Sequence, residues 1–258
     1  MNWVALSKET HRERGLSKEK NFSFARDSSL VPLCTFELQS AVSLIPIVFA
    51  NELDATKICG LLGVEKDKNL YVDTDGRWML NWYTPTVFQA FPFKIGKIDG
   101  KKDILLIAEK SDLFVEKDKG YPLFLDDGSE SEITKKHMEL LVNIDRSQEY
   151  IKKASSVINQ FDLLEPLNLK IRVGEGEEII TSGLLGVNVE KFNGLGGEDF
   201  LKLRDVGALD LIFAHLFSLR NTQKLVQAIR YKKHREKLIS DLGNKIFDEQ
   251  DNFDITFE

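Results

Sequence analysis

The sequence predicts an α+β fold: a mainly β first half carrying an aromatic-rich insert, then a helical second half that includes a short β-hairpin. Three observations predict it. Up to about residue 128, short apolar runs are broken by proline or by Asp-Gly turns. Beyond that point, apolar residues recur at helical spacing. Inside the helical half, two β-rich runs flank Gly174-Glu-Gly176, which marks a hairpin.

The elements follow in order. Residues 7–29 hold Lys8, Glu9, Arg12, Glu13, Arg14, Lys18, Glu19 and Lys20 with few apolar anchors, so residues 1–30 read as an arm that is flexible or packed only locally. The globular part begins near Val31-Pro32-Leu33 and extends to about 238, with a division near 128 left open; residues 239–258 form an acidic tail. Residues 36–44 read as a short helix ended by Pro46, and 45–50 as a buried strand. Residues 57–64 and 69–72 are further apolar runs, the second leading into the turn Asp73-Thr-Asp-Gly-Arg77. Pro85 opens a helix running to Ala90. Residues 93–98 and 103–108 form a hairpin over Asp99-Gly100, because Asp-Gly supplies the positive φ that tight turns need; 121–125 is one more strand.

In the second half, Ser129 and Glu132 have capping-box spacing ahead of Ile133, His137, Leu140, Leu141 and Ile144. A separate helix is expected over 147–160, then paired strands over 168–173 and 178–187. Residues 199–205 read as a helix, and 206–219 as one apolar almost all round, hence buried on several sides. A basic helix over 220–237 precedes an end rich in Asp and Glu. Gly60-Leu-Leu-Gly-Val64 reappears as Gly183-Leu-Leu-Gly-Val187, either a trace of duplication or two similar strand ends.

Composition narrows the function classes. The 258 residues carry 35 Lys+Arg against 41 Asp+Glu, a net charge of −6, which argues against a nucleic-acid partner. Two cysteines make neither a disulfide framework nor a zinc spacing. No run reaches the roughly 18 apolar residues of a membrane span, and the apolar stretch at Trp3 to Leu6 is too short for a secretory signal, so a cytoplasmic location is expected.

Chemistry-bearing residues are few. Asp73 and Asp75 beside Gly76 resemble a cation loop, but the register of a calcium site fails and an Asp-Gly turn explains them. Arg77, Trp78, Trp82, Tyr83, Phe88, Phe91 and Phe93 form an aromatic cluster that is either core or a groove for a partner. His11, His137, His215 and His234 lie too far apart for a metal site by spacing, and His137 and His215 read as hydrogen-bonded core histidines. Cys34 and Cys59 read as small core residues, and Gly194-Leu-Gly-Gly197 as a linker. No nucleophile elbow, phosphate loop or metalloprotease motif is present, and no cofactor is expected.

Taken together and in order, these words resemble the SapC family, named for a component of a bacterial surface-layer export locus. The resemblance is carried by His11, Phe22-Ser-Phe-Ala25, Val31-Pro-Leu33 with Glu37, and Ile45-Pro-Ile-Val-Phe49. It continues through Gly60-Leu-Leu-Gly63, Asn69-Leu-Tyr-Val-Asp73, Asp75-Gly-Arg-Trp78, Tyr83-Thr-Pro85 and Phe91-Pro-Phe93. Leu123-Phe124 with the following Asp and Gly128, Gly183-Leu184 and His215-Leu-Phe-Ser-Leu219 complete it. The resemblance implies an association with surface-protein secretion and with modifying enzymes encoded nearby, but no particular reaction. The basic helix and acidic tail after Leu219 depart from the family pattern.

The expected function is therefore a non-enzymatic, cytoplasmic accessory factor that binds a peptide or protein: an exported surface protein or its modifying enzyme. Arg77 would take a partner carboxylate, with Trp78, Trp82 and Tyr83 as apolar anchors and Asp73, Asp75, Phe93 and His215 completing the binding set. The alternatives are an enzyme acting on a peptide or protein through Asp73, Asp75 and His215, and a structural module of a larger assembly. Oligomeric state is left open.

Overall fold

A computed structural model describes residues 2–52, 55–80, 83–98, 102–172 and 178–250. The fold is α+β as expected, with most strands in the first half and most helices in the second. Its centre is a five-stranded antiparallel sheet in the order β10-β13-β4-β5-β3, built from β3 (Leu30–Pro32), β4 (Ile47–Glu52), β5 (Ala55–Leu61), β10 (Leu164–Leu167) and β13 (Leu184–Val187). Ile47, Val48 and Phe49 are all fully buried, as expected for a central strand covered on both faces. A second sheet pairs β1 (Trp3–Ala5) with the hairpin β6 (Phe93–Ile98) and β7 (Lys102–Ala108). A third places β2 (Arg14–Ser17) between β8 (Phe114–Glu116) and β9 (Gly120–Pro122). The hairpin β11 (Lys170–Arg172) with β12 (Glu178–Ile180) stands apart, and its turn lies outside the described residues.

The helices are α1 (Lys8–His11), α2 (Leu38–Ala41), α3 (Thr86–Ala90), α4 (Glu132–Gln160), α5 (Val189–Asn193), α6 (Gly197–Asp205), α7 (Ala208–Ser218) and α8 (Thr222–Gln250). The described residues form two apolar cores, and α4 links them. Ile151, Ala154 and Ile158 pack into the large core around the central sheet, whereas Leu141 belongs to a smaller core with Phe93, Ile107 and Leu123. The two helices expected over 133–144 and 147–160 are thus one. With no glycine or proline between them, the chain stays helical where it passes from one core to the other, and Ser147 there accepts a hydrogen bond from Thr35 N at 2.8 Å. The cap is Ser131, not Ser129: its hydroxyl accepts from the Thr134 amide.

The N-terminal segment also differs from the expected arm. β1 pairs with β7, β2 with β8 and β9, and β3 with β5, all at long sequence separation. Its lysines and glutamates stay on the surface while Leu16 and Phe24 pack on the cores and His11 and Ala25 are buried. Backbone ladders carry this docking, which is why few apolar side chains sufficed.

Two further expectations change. The repeated Gly-Leu-Leu-Gly-Val words fall on strands flanking β4, but Gly60 lies within β5 whereas Gly183, at φ +75°, precedes β13, so the copies occupy different backbone positions. α7 is not buried all round: Phe213 and Phe217 stack on each other at the surface. Among the described residues, no helix is long and apolar enough to cross a membrane.

Candidate functional site

The Asp73–Arg77 turn is held from within. Asp73 N donates to Arg77 O at 2.9 Å, Thr74 N donates to Asp73 Oδ1 at 2.7 Å, and Gly76 supplies the left-handed φ of +82°. The carboxylate of Asp73 pairs with Arg235 of α8. Asp75 and Arg77 pair with each other at 3.0 Å on the surface, where Arg77 is 83% exposed. A cleft of about 490 Å³ opens between this turn and α8, lined by Arg26, Lys68, Lys233 and Arg235 but also by Asp27, Glu65, Asp67 and Asp73. Lys232 crosses it to donate to Asn69 O at 2.5 Å. Charges of both signs make it a docking seam for the helix.

Of the aromatic anchors expected beside the turn, Trp78 and Tyr83 are buried. Trp78 is buried among Phe22, Tyr71 and Phe88, and its indole N–H donates to Tyr83 O at 2.7 Å. Tyr83 is buried and its hydroxyl donates to Glu37 Oε2 at 2.9 Å; burial, reinforced by the Glu37 carboxylate, pushes its phenol well up. Phe93 sits in the smaller core. Neither Trp78 nor Tyr83 presents a ring to the surface, and Trp82 lies outside the described residues.

His215 is sealed in the large core at 1% exposure. Its Nδ1–H donates to Ile47 O at 2.8 Å and its Nε2 accepts from Val187 N at 3.2 Å, so the ring ties α7 to β4 and β13. Burial lowers its pKa, opposed by the bond to Ile47. Both nitrogens are in use, and His215 does not line the cleft at Asp73. The structure does not bring His215, Asp73 and Asp75 into one acid–base constellation.

A second cleft, of about 360 Å³, is built from different residues. Phe24, from the N-terminal segment, stacks on Phe91 at 3.8 Å and meets Phe88 edge-on at 5.8 Å. Leu16, Leu113 and Leu140 complete the apolar wall, and Tyr121 stands at its edge, 49% exposed, with Lys18 Nζ 5.9 Å from its ring centroid. Lys18, Lys20 and Lys136 line it, with Glu19 as the one carboxylate residue among the described lining residues, and Lys136 pairs with Glu132 behind it at 3.5 Å. His137 also lines it. Its Nδ1–H donates to Ile133 O at 2.8 Å, which leaves Nε2 of the neutral ring as an acceptor, and burial lowers its pKa.

Sequence reasoning placed Phe88 and Phe91 in an aromatic cluster but took His137 for core and missed Phe24, Lys18 and Tyr121. The available signal was the pairing of Phe22-Ser-Phe-Ala25 with Phe91-Pro-Phe93 among the family-like words. Elsewhere, Thr10 Oγ1 lies 2.8 Å from His11 Nδ1 and His11 Nε2 3.0 Å from Glu109 Oε1, the order of a catalytic relay. That Nδ1 also lies 3.1 Å from both the amide N and the carbonyl O of Ser7, so the ring is held on its own turn and the chain is a clasp between α1 and the end of β7. Among the described residues, no group of three or more His, Cys, Asp or Glu could hold a metal ion.

No curated protein and no solved structure shows significant similarity to the chain. The SapC family model, by contrast, matches residues 6–225, which include the central sheet, both clefts' loops and His215, and leave out most of α8. The chain belongs to the SapC family.

Proposed function

We propose that this SapC-family protein is a non-enzymatic, cytoplasmic accessory factor that binds a peptide segment of an exported surface protein or of the enzyme that modifies it. The observation that carries the reading is the aromatic cleft, an apolar concavity with convergent polar groups, walled by Phe24, Phe88 and Phe91 and edged by Tyr121 and lysines. Arg77 is assigned a supporting role: its neighbour Gly76 packs against Asn21, which lines the cleft, and the exposed Arg77 can exchange Asp75 for a partner carboxylate. The anchoring role expected of Trp78 and Tyr83 passes to these residues. Enzymatic use of His215 draws no support from a ring whose two nitrogens are both bonded inside the core.

The test is affinity capture from the native cell with the wild-type chain and with Tyr121→Ala, followed by reconstitution with the purified captured protein. Because Tyr121 is half exposed, its truncation leaves the core intact. The reading requires an exported protein or modifying enzyme that the wild type binds directly and the folded variant loses. Direct binding undiminished in Tyr121→Ala would move the site elsewhere.

A further inference from the structure

The following rests on the peptide-binding reading above and names the class of segment. We infer that the cleft takes an acidic segment carrying tyrosine or tryptophan, whose ring enters between Phe24, Phe88 and Phe91, whose hydroxyl or indole N–H donates to His137 Nε2, and whose neighbouring carboxylates meet Lys18, Lys20 and Lys136.

Each part has its own observation. The wall is aromatic, and aromatic rings gain by edge-on or offset packing beyond the area they bury. The volume, about 360 Å³, is near the lower limit for ligand pockets, suited to one large side chain and its adjoining backbone. His137 fixes the polarity of that side chain. Its Nδ1–H is committed to Ile133 O; its Nε2 makes no bond among the described residues and is not sealed from solvent. An acceptor at the cleft wall favours a ring that ends in a donor, and a phenylalanine would cover Nε2 without pairing it. Lys18 and Lys20, opposed by Glu19, and Lys136, whose exposed pair with Glu132 at 3.5 Å a ligand carboxylate can replace, then favour carboxylates beside the ring and disfavour a basic segment. Lys18 and Lys20 come from the stretch between β2 and Phe22 and Lys136 from α4, so the cations reach the cleft from two separate elements.

The experiment is selection of random twelve-residue peptides on the immobilised full chain, with affinities of enriched peptides then read by fluorescence polarisation. The expected result is enrichment of Tyr or Trp next to Asp or Glu. Tyr→Phe in such a peptide should weaken binding to the wild type about tenfold and have little effect on His137→Phe, and Lys18→Glu with Lys20→Glu should weaken it at least tenfold. The lysines are exposed, so the double variant keeps the test valid where His137→Phe fails to fold. Enrichment of basic or non-aromatic peptides that are lost by Tyr121→Ala overturns the class while leaving the cleft as the site. No enrichment, or enriched peptides indifferent to Tyr121→Ala, overturns both.

Discussion

Tyr83 donates its phenolic hydrogen to Glu37 Oε2 at 2.9 Å, across 46 residues of sequence. The same oxygen accepts from Thr86 N at 2.9 Å, and Oε1 accepts from Cys34 N at 2.8 Å. One buried carboxylate therefore holds the start of α3 and the entry to α2 together, with donors on both its oxygens. Glu37→Gln sets an amide NH₂ against one of these donors, and we expect a loss of about 3 kcal/mol in urea unfolding at 25 °C. Tyr83→Phe removes one bond and should cost about 1 to 2 kcal/mol. A Glu37→Gln loss below about 1 kcal/mol would mean that the carboxylate is not holding these segments.

That network shows which parts of the structure the sequence displays. The β6–β7 hairpin and α3 are legible because an Asp-Gly pair between two β-rich runs and a proline at a helix start are local signals, although the turn at 99–101 itself lies outside the described residues. Pairing at long range is not. β10 carries Pro166, which bars it from a central position, and the structure places it at the sheet edge against β13, a strand expected to belong to the neighbouring hairpin. Nor does aromatic richness distinguish wall from core. Trp78 and Phe91 sit in one cluster of the sequence, yet Trp78 is enclosed by a bond to Tyr83 O while Phe91 lines a cleft with Phe24, which lies outside that cluster.

His215 makes stability depend on pH. Its folded-state pKa is lowered by burial, as is that of His137, so between that value and the ordinary histidine value the unfolded chain binds more protons than the folded one. Stability is fully present above about pH 6.5 and is lost as pH falls from there toward the folded-state pKa values. Protonating Nε2 of His215 would also replace the acceptor that Val187 N needs by a second donor. The urea midpoint should therefore drop between pH 7.5 and 5.5. His215→Gln should lower stability at pH 7.5 by about 1 to 3 kcal/mol and flatten this slope. An unchanged slope in that variant would remove His215 from the explanation.

Cys34 and Cys59 should be inert in the folded state. Both are buried, and burial pushes each thiol up to about 12, with Glu37 adding to the effect at Cys34 and Glu52 at Cys59. Neither is expected to react with a thiol-exchange reagent at pH 8 over the time in which an unfolded sample reacts at both. Prompt reaction of one thiol per native chain would show that its surroundings open.

α8 is held to the rest of the protein largely by residues outside the SapC match, so its docking can be tested separately from the fold. Arg235 pairs with Asp73, whose side chain is only 14% exposed, and Lys232 donates to Asn69 O, both on the loop that carries the family-like word from Asn69 to Asp73. Arg235 is 35% exposed and screened by solvent, so the pair contributes at most about 1 kcal/mol to global stability and Asp73→Asn should barely move the thermal midpoint. A terminal helix opens locally at lower free energy than the core, and there a loss of that size raises amide exchange about fivefold. Hydrogen exchange should accordingly rise over residues 226–250 in Asp73→Asn and in Arg235→Ala, while β4 and β5 keep their protection. Equal protection of α8 in the wild type and both variants would show that the pair does not hold the helix, and loss of protection across the central sheet would show that α8 and the sheet open as one unit.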